Sequence, residues 1–243
     1  CIVVGSQKER VVDGVTKRCA AVTLHRWQDG RWIPHPDDLF YWGWDTDADG
    51  SFIEMPAVLK MDNGSWLFVY TPLGTAQGVK TMYRTGSIDS EGRFVTDDAS
   101  TTSRGVDLFG KEGYGLLSPS IMQHDGRTIA LGIAADKLGS YDNKVNGWAH
   151  CYSFPREWSL DDRNRLCQKP AEELRGLRGP VNYSRANFTL SGTAPLGDVR
   201  GREAEIRSTW TCGDTPFGIR FFLNPANRAD SHASLTVDPQ AHT

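Results

Sequence analysis

Tight hairpin turns recur along this chain at a spacing that restricts its fold more than any other feature. Four pairs of a polar residue and a glycine separate strand-like segments: Asp29-Gly30, Asn63-Gly64, Glu91-Gly92 and Asp125-Gly126. Such pairs favour β-hairpins because both residue types tolerate positive φ angles. Alternate pairs are 62 residues apart, from 29 to 91 and from 63 to 125. The spacing predicts an all-β chain whose repeat holds two hairpins.

An internal comparison gives the same repeat length. The segment EMPAVLKMDNGSWLFVY, residues 54–70, overlays SPSIMQHDGRTIALG, residues 118–132, so that Pro56 aligns with Pro119. A repeat of four strands is how a β-propeller is built, with one sheet per repeat. We therefore expect propeller blades in the first part of the chain.

The pattern changes near residues 170–181. PAEELRGLRG, residues 170–179, predicts a short helix because it begins with proline, has acids in its first turn and ends with Arg-Gly. Longer alternating segments follow, AEIRSTWTC, FGIRFFLNP and ASLTVDP, which are typical of a β-sandwich. We expect a propeller domain over 1–169, a helical connector over 170–181 and a sandwich domain from 182–243.

Composition excludes several classes of partner. The 243 residues carry a net charge of -3, and their Lys and Arg residues are scattered, so neither nucleic acid nor an anionic membrane is an expected partner. No apolar run approaches the roughly 20 residues that span a bilayer. A neutral small-molecule substrate fits better. The oligomeric state and the compartment are not encoded, although a secreted or periplasmic location is slightly favoured.

Cysteine and histidine patterns predict no metal site and no cofactor. Five cysteines contain no C-x-x-C pair, and the six histidines form no H-E-x-x-H motif. We expect the cysteines to be small buried residues rather than a disulfide framework. The acidic run Asp45, Asp47, Asp49 and Gly50 matches half of an EF-hand loop, but Pro56 stands where the loop needs a bidentate Glu, which favours a solvated turn.

Glu54 is a candidate general acid. It stands between Ile53 and Met55 at the start of a strand, where apolar neighbours remove water from the carboxyl group and favour its protonated form. Chemistry alone leaves the alternative of an ordinary surface carboxylate open. The aromatic cluster Tyr41, Trp42 and Trp44 is equally compatible with core packing and with stacking on a sugar ring.

Three segments together resemble glycoside hydrolase family 32, the invertases, inulinases and levanases. They are FIEMPAVLKMDNGSWLFVYTPLG, GYGLLSPSIMQHDGRTIALG and GWAHCYSFPREWSLDDRNRLCQKPAEELRGLR. The resemblance implies a five-bladed β-propeller followed by a β-sandwich. It also implies a β-fructofuranosidase that acts on sucrose or fructans such as inulin and levan.

The resemblance also implies roles for single residues. Glu54 matches the general acid/base, with Met55 where the family usually has Cys. Ile53 and Tyr114 match positions that contact the sugar, whereas Glu157 matches a structural position. The family's nucleophilic Asp lies in an Asn-Asp-Pro motif and a second Asp in an Arg-Asp-Pro motif, and neither motif occurs here.

These absences imply a fragment without the first blade, part of the second blade and much of the sandwich. The retaining mechanism needs two carboxylates, so we expect the isolated chain to be inactive. Two other activities stay open: a carbohydrate-binding propeller without catalysis, and a fructosyltransferase with the same active site. An arabinan- or xylan-cleaving propeller is a further alternative that matches the Pro-Arg-Glu segment less well.

Overall fold

The computed structural model describes residues 1–35, 41–42, 50–74, 81–97, 104–106, 116–134, 145, 147–196, 204–221 and 233–241. The chain divides into two compact units, Cys1–Leu174 and Arg175–Thr243, and each is described by itself. In the described residues, the first unit holds three antiparallel sheets and the second holds one strand pair.

Sheet 1 is built on one long strand. Its strands are β1 (Ile2–Val12), β2 (Val15–Gln28), β3 (Arg31–Pro34) and β4 (Tyr41–Trp42), and β2 pairs with the other three. The predicted turn Asp29-Gly30 joins β2 to β3, with φ angles of 51° and 77°. A further Asp-Gly turn, Asp13-Gly14, joins β1 to β2 with φ angles of 52° and 76° and adds to the four predicted turns.

Sheet 2 contains the candidate acid. Its strands are β5 (Phe52–Lys60), β6 (Trp66–Leu73), β7 (Met82–Ile88), β8 (Phe94–Thr96) and β9 (Arg104–Gly105). The first four are neighbours in chain order, and β9 pairs with β7. The predicted turns Asn63-Gly64 and Glu91-Gly92 close the two hairpins, with glycine φ angles of 88° and 83°.

Sheet 3 repeats this arrangement. Its strands are β10 (Leu116–His124), β11 (Arg127–Ala134), β12 (Cys151–Tyr152), β13 (Arg156–Leu160) and β14 (Leu166–Pro170). The order is β10-β11-β13-β14, and β12 pairs with the end of β11. The turn Asp125-Gly126 joins β10 to β11, as predicted. The predicted repeat is therefore confirmed, since β10 and β11 correspond to β5 and β6.

Sheet 2 has a hydrophobic core on each of its two faces, and successive side chains of β6 point into these two cores in turn. Phe68 and Tyr70 stack at 4.7 Å and pack against residues of β2 in sheet 1. Leu67 and Val69 point the other way and pack against sheet 3. Each such burial stabilises the fold by roughly 1.5–3 kcal/mol. Antiparallel sheets with a main path of four strands that pack face to face in this way are the blades of a β-propeller, which confirms the all-β propeller class.

The connector differs from the predicted helix. It is a 3₁₀ helix, Glu172–Leu177, and Pro170 ends strand β14 rather than beginning a helix. A six-residue segment with a glycine next to its last residue is too short for a stable α-helix. Among the described residues, no helix is long and apolar enough to cross a membrane.

The second unit contains the strands β15 (Phe217–Phe221) and β16 (Ala233–Val237), which pair antiparallel. They correspond to two of the three alternating segments. The third segment, residues 204–212, forms no strand, since none of the described residues offers its backbone a partner strand.

The prediction of buried cysteines was wrong for most of them. Only Cys19 is buried, while the other four are exposed, and all five are free thiols: Cys1, Cys19, Cys151, Cys167 and Cys212. Cys19 lies on the central strand β2, whereas Cys151 and Cys167 lie on β12 and β14, short strands that each pair with a single neighbour in sheet 3.

Candidate active site

Glu54 lies near the start of β5 and is partly buried. Its cross-strand partner is Thr71 on β6. Among the described residues, its carboxyl group has no recorded hydrogen bond or ion pair. With respect to the described part of the chain, this carboxyl group on β5 is available to a ligand.

Ile53 anchors the strand beneath Glu54. Its side chain has no exposed surface and packs in the core between sheets 1 and 2. Because neighbouring strand residues point to opposite faces, Glu54 points away from sheet 1. The predicted contact of Ile53 with a sugar stays a prediction. The side chain of Ile53 is fully buried and offers no exposed surface to a ligand.

A β-bulge follows Glu54 directly. Glu54 pairs with Thr71 and Ala57 pairs with Val69, so that Met55 and Pro56 stand opposite the single residue Tyr70. Met55 has a φ of 48° and its side chain is 59% exposed. Bulges re-aim side chains and concentrate beside active sites. The bulge therefore lies directly beside the candidate acid.

Sheet 3 has the same bulge at the equivalent place. Leu117 pairs with Ile133 and Ser120 pairs with Leu131, which leaves Ser118 and Pro119 opposite one residue. The φ of Ser118 is 46°, nearly that of Met55. The alignment of Pro56 with Pro119 was visible in the sequence, but the bulge was not, because it depends on the count of residues in the partner strand.

The bulge at Ser118 gives a stability prediction. A serine in the left-handed region is strained, and glycine adopts that region freely, so Ser118→Gly is expected to stabilise the protein by about 0.5–1 kcal/mol. Urea unfolding measures the difference. Ser120→Gly is the matched control, since it lies two residues further along the same strand and should destabilise by a similar amount. Equal destabilisation by both variants would contradict the prediction.

The strand partner of Glu54 contacts a second buried hydroxyl group. Thr71, its partner, lies with its Oγ1 atom 3.3 Å from Oγ1 of Thr81. The backbone amide of Thr81 donates to the carbonyl of Leu116 over 3.1 Å, at the start of β10. These contacts connect the segment that carries Glu54 to the segment that leads into the second bulge.

Arg84 was not predicted as a site residue. It lies on β7 with 7% of its surface exposed, and its Nε atom donates to the hydroxyl of Tyr70 over 3.1 Å. Tyr70 is the residue opposite the Met55 bulge. A charged residue inside an alternating strand is usually exposed, so the sequence held no signal for this inward position.

Gly5 on β1 completes the packing around the site. A Cβ atom built at Gly5 would lie 2.0 Å from the backbone oxygen of Ile53. Next to it, Gln7 donates from Nε2 to the carbonyl of Ser51 over 2.8 Å. Only glycine fits between β1 and β5 at this point, so sheet 1 holds the strand segment that bears Glu54.

Glu157, for which a structural role was expected, takes part in an ion-pair cluster. Its carboxylate lies 3.3 Å from Arg127 and 3.3 Å from Lys169. Arg127 also pairs with Glu173 of the 3₁₀ helix over 2.7 Å. The cluster joins three strands of sheet 3 to the connector.

The cluster predicts a pH effect on stability. The hydrogen bond from Arg127 lowers the pKa of Glu173 from 4.5 to about 2. Because the pKa is lower in the folded state, the stabilisation is complete above about pH 4.5 and is lost as the pH falls towards 2. Glu173→Gln should therefore flatten the pH dependence of unfolding in this window, whereas Asp62→Asn should not. An unchanged slope in Glu173→Gln would contradict the assignment.

Several predicted residues lie outside the described part of the chain. These are Tyr114, the acidic residues Asp45, Asp47 and Asp49, and Trp44, together with the side chains of Tyr41 and Trp42. Their predicted roles stay predictions. Within the described residues, no group of three or more His, Cys, Asp or Glu side chains could hold a metal ion.

Comparison with known proteins identifies the family of the chain. The profile of the glycosyl hydrolases family 32 N-terminal domain matches residues 17–170, which is more than half of the chain. The match covers the three sheets of the first unit almost completely. The chain belongs to glycosyl hydrolase family 32. No curated protein sequence matches it.

Solved structures of the same family share the fold. A Bombyx mori β-fructofuranosidase is 23% identical with a TM-score of 0.58, over 73% of this chain and 36% of its own. Sucrose-6-phosphate hydrolase from Lactobacillus gasseri is 19% identical with a TM-score of 0.54, over 66% and 33%. Fructan 1-exohydrolase IIa from Cichorium intybus is 20% identical with a TM-score of 0.51, over 67% and 32%. The chain spans about a third of the length of these relatives.

Proposed function

We propose that the protein to which this chain belongs releases terminal β-D-fructofuranosyl units from sucrose or fructans, with Glu54 as general acid/base. The observation that carries the proposal is the position of Glu54. Its carboxyl group has no recorded partner in the described residues and stands at a bulge, within a segment that resembles the acid/base motif of the family. Membership of family 32 supports the reaction class.

The chemistry follows from two carboxyl groups about 5 Å apart. Glu54 donates its proton to the leaving-group oxygen while a second carboxylate attacks the anomeric carbon. Glu54 then removes a proton from the water that opens the covalent fructosyl-enzyme. The 243 residues contain neither Asp motif of the family, so the nucleophile comes from sequence beyond them. The reaction needs neither a metal ion nor an organic cofactor.

The substrate class rests on the relatives. The Bombyx mori β-fructofuranosidase has been solved as a variant in complex with sucrose. We infer a small carbohydrate or a fructan as the ligand of this chain also. Within it, residues 1–169 are assigned to the catalytic propeller, 170–181 to the connector and 182–243 to the start of the sandwich.

Fructose release tests the proposal. The coding sequence is extended upstream to include the two Asp motifs, and the product is assayed on sucrose, inulin and levan beside the 243-residue chain. We expect release by the extended protein and none by the shorter chain, because the shorter chain lacks the nucleophile. No release from any of the three substrates would favour a binding propeller. Longer fructosides without free fructose would favour a fructosyltransferase.

A further inference from the structure

A cleft of about 600 Å³ opens between sheets 2 and 3. We call it the Arg104 cleft. Its walls come from β7 and β9 on one side and from the β13–β14 hairpin on the other. The residues that line it are Tyr83, Arg104, Gly105, Asp161, Arg165, Leu166, Cys167 and Gln168.

A hydrogen bond between the two walls holds Tyr83 in place inside the cleft. The hydroxyl oxygen of Tyr83, a residue that is 6% exposed, accepts a hydrogen bond from the backbone amide of Leu166 over 3.1 Å. This bond joins the two sheets. In the described residues, no acceptor is recorded for the hydroxyl proton of Tyr83, which leaves a hydrogen-bond donor at the bottom of the cleft.

The carboxylate among the lining residues, Asp161, already accepts three hydrogen bonds from the protein. Asp161 accepts hydrogen bonds from the backbone amides of Arg163 and Arg165, over 3.0 and 2.8 Å, and from Nε of Arg165 over 2.7 Å. These bonds, above all that from the Arg165 amide, lower the pKa of Asp161, so it stays ionised. Its charge is neutralised by Arg165, and it has little capacity left to accept from a ligand.

Donors remain on the two arginines. Arg104 is exposed and has no carboxylate partner among the described residues. Arg165 uses Nε for Asp161, and its terminal amino groups have no recorded partner in the same residues. Because Arg165 neutralises Asp161, the positive charge of the lining is that of Arg104, and Asp162 acts on Arg165 from outside the lining. The lining still has more hydrogen-bond donors than acceptors.

We propose that the Arg104 cleft binds the phosphate group of a small phosphorylated molecule. Guanidinium groups match the oxygen geometry of phosphate, and a cleft of about 600 Å³ has room for a sugar-sized remainder. The site needs only residues of this chain, so its test is independent of the proposed glycosidase activity.

The test is a titration of the 243-residue chain with inorganic phosphate, glucose 6-phosphate and glucose, followed by amide NMR shifts of Gly105 and Cys167. We expect saturable shifts with both phosphates at about millimolar concentration and none with glucose. Arg104→Gln should weaken binding about tenfold or more, because a charge-assisted contact is lost. Arg31→Gln, an exposed arginine on β3, is the matched control and should bind as the wild type does.

Three results would overturn the proposal. The first is the absence of saturable shifts with either phosphate. The second is binding that Arg104→Gln leaves unchanged, which would place the anion elsewhere. The third is equal binding of glucose, which would make the cleft a site for neutral hydroxyl groups. If glucose 6-phosphate saturates the shifts at a much lower concentration than inorganic phosphate does, the result supports the proposal and identifies the sugar as part of the ligand.

Discussion

Replacing Glu54 with glutamine is expected to lower kcat for fructose release from sucrose by about 10²–10⁴-fold in the upstream-extended protein. Glutamine keeps the shape of the side chain but cannot donate a proton to the leaving group. The strand position is secured by Ile53 and by the bulge, neither of which depends on the carboxyl charge. The variant should therefore fold as the wild type does and keep a similar KM.

A substrate with a leaving group that needs no protonation makes this test sharper. With such a substrate, the first step no longer needs the acid, so Glu54→Gln should lose much less activity in that step. Glu91→Gln, an exposed carboxylate on the β7–β8 turn, is the control and should keep full activity. Equal losses by Glu54→Gln in the rate of the first step on both substrates would show that Glu54 does not protonate the leaving group.

Gly5→Ala is expected to have the largest effect on stability. The added Cβ would lie 2.0 Å from the carbonyl oxygen of Ile53, and both atoms belong to the backbone or are fixed to it. One strand must move, which we expect to lower the free energy of unfolding by about 3 kcal/mol. One of the two strands in the clash, β5, carries Glu54, so activity in the extended protein should also fall.

Gly176→Ala is the matched control for this substitution. A Cβ atom at Gly176 meets nothing within 4 Å, and this glycine has no positive φ. Its unfolding free energy should change by less than about 0.5 kcal/mol. Urea unfolding measures the free energy of unfolding of both variants. Similar changes in the two would contradict the close approach of β1 to β5.

Much of the fold was predictable because it depends on local signals. The Asp-Gly and Asn-Gly pairs at residues 13, 29, 63 and 125 form tight hairpin turns from local backbone preference, and alternation of side chains fixes which residues face inward. Segment 204–212 shows the limit of this reasoning. Its alternation is as regular as that of β15, but a strand also needs a partner, and pairing is not a local property.

The candidate site could be proposed from the sequence only where a linear motif carries it. Glu54 and its Pro56 belong to one short segment, so sequence resemblance found them together. Arg84 and the left-handed Ser118 were not found, because burial of a cation and a shift of register depend on residues in neighbouring strands. The sequence predicted that the connector is helical but not that the helix is of the 3₁₀ type, because capping signals alone do not determine the type of helix.

Mass spectrometry of the Glu54→Gln variant of the extended protein tests the central claim most directly. The variant is mixed with a fructosyl donor whose leaving group needs no protonation. If Glu54 is the acid/base, the nucleophile still attacks but water is no longer activated, so a covalent adduct of one fructosyl unit should accumulate. If the wild-type protein turns over the donor and the variant forms no adduct, Glu54 is not the acid/base.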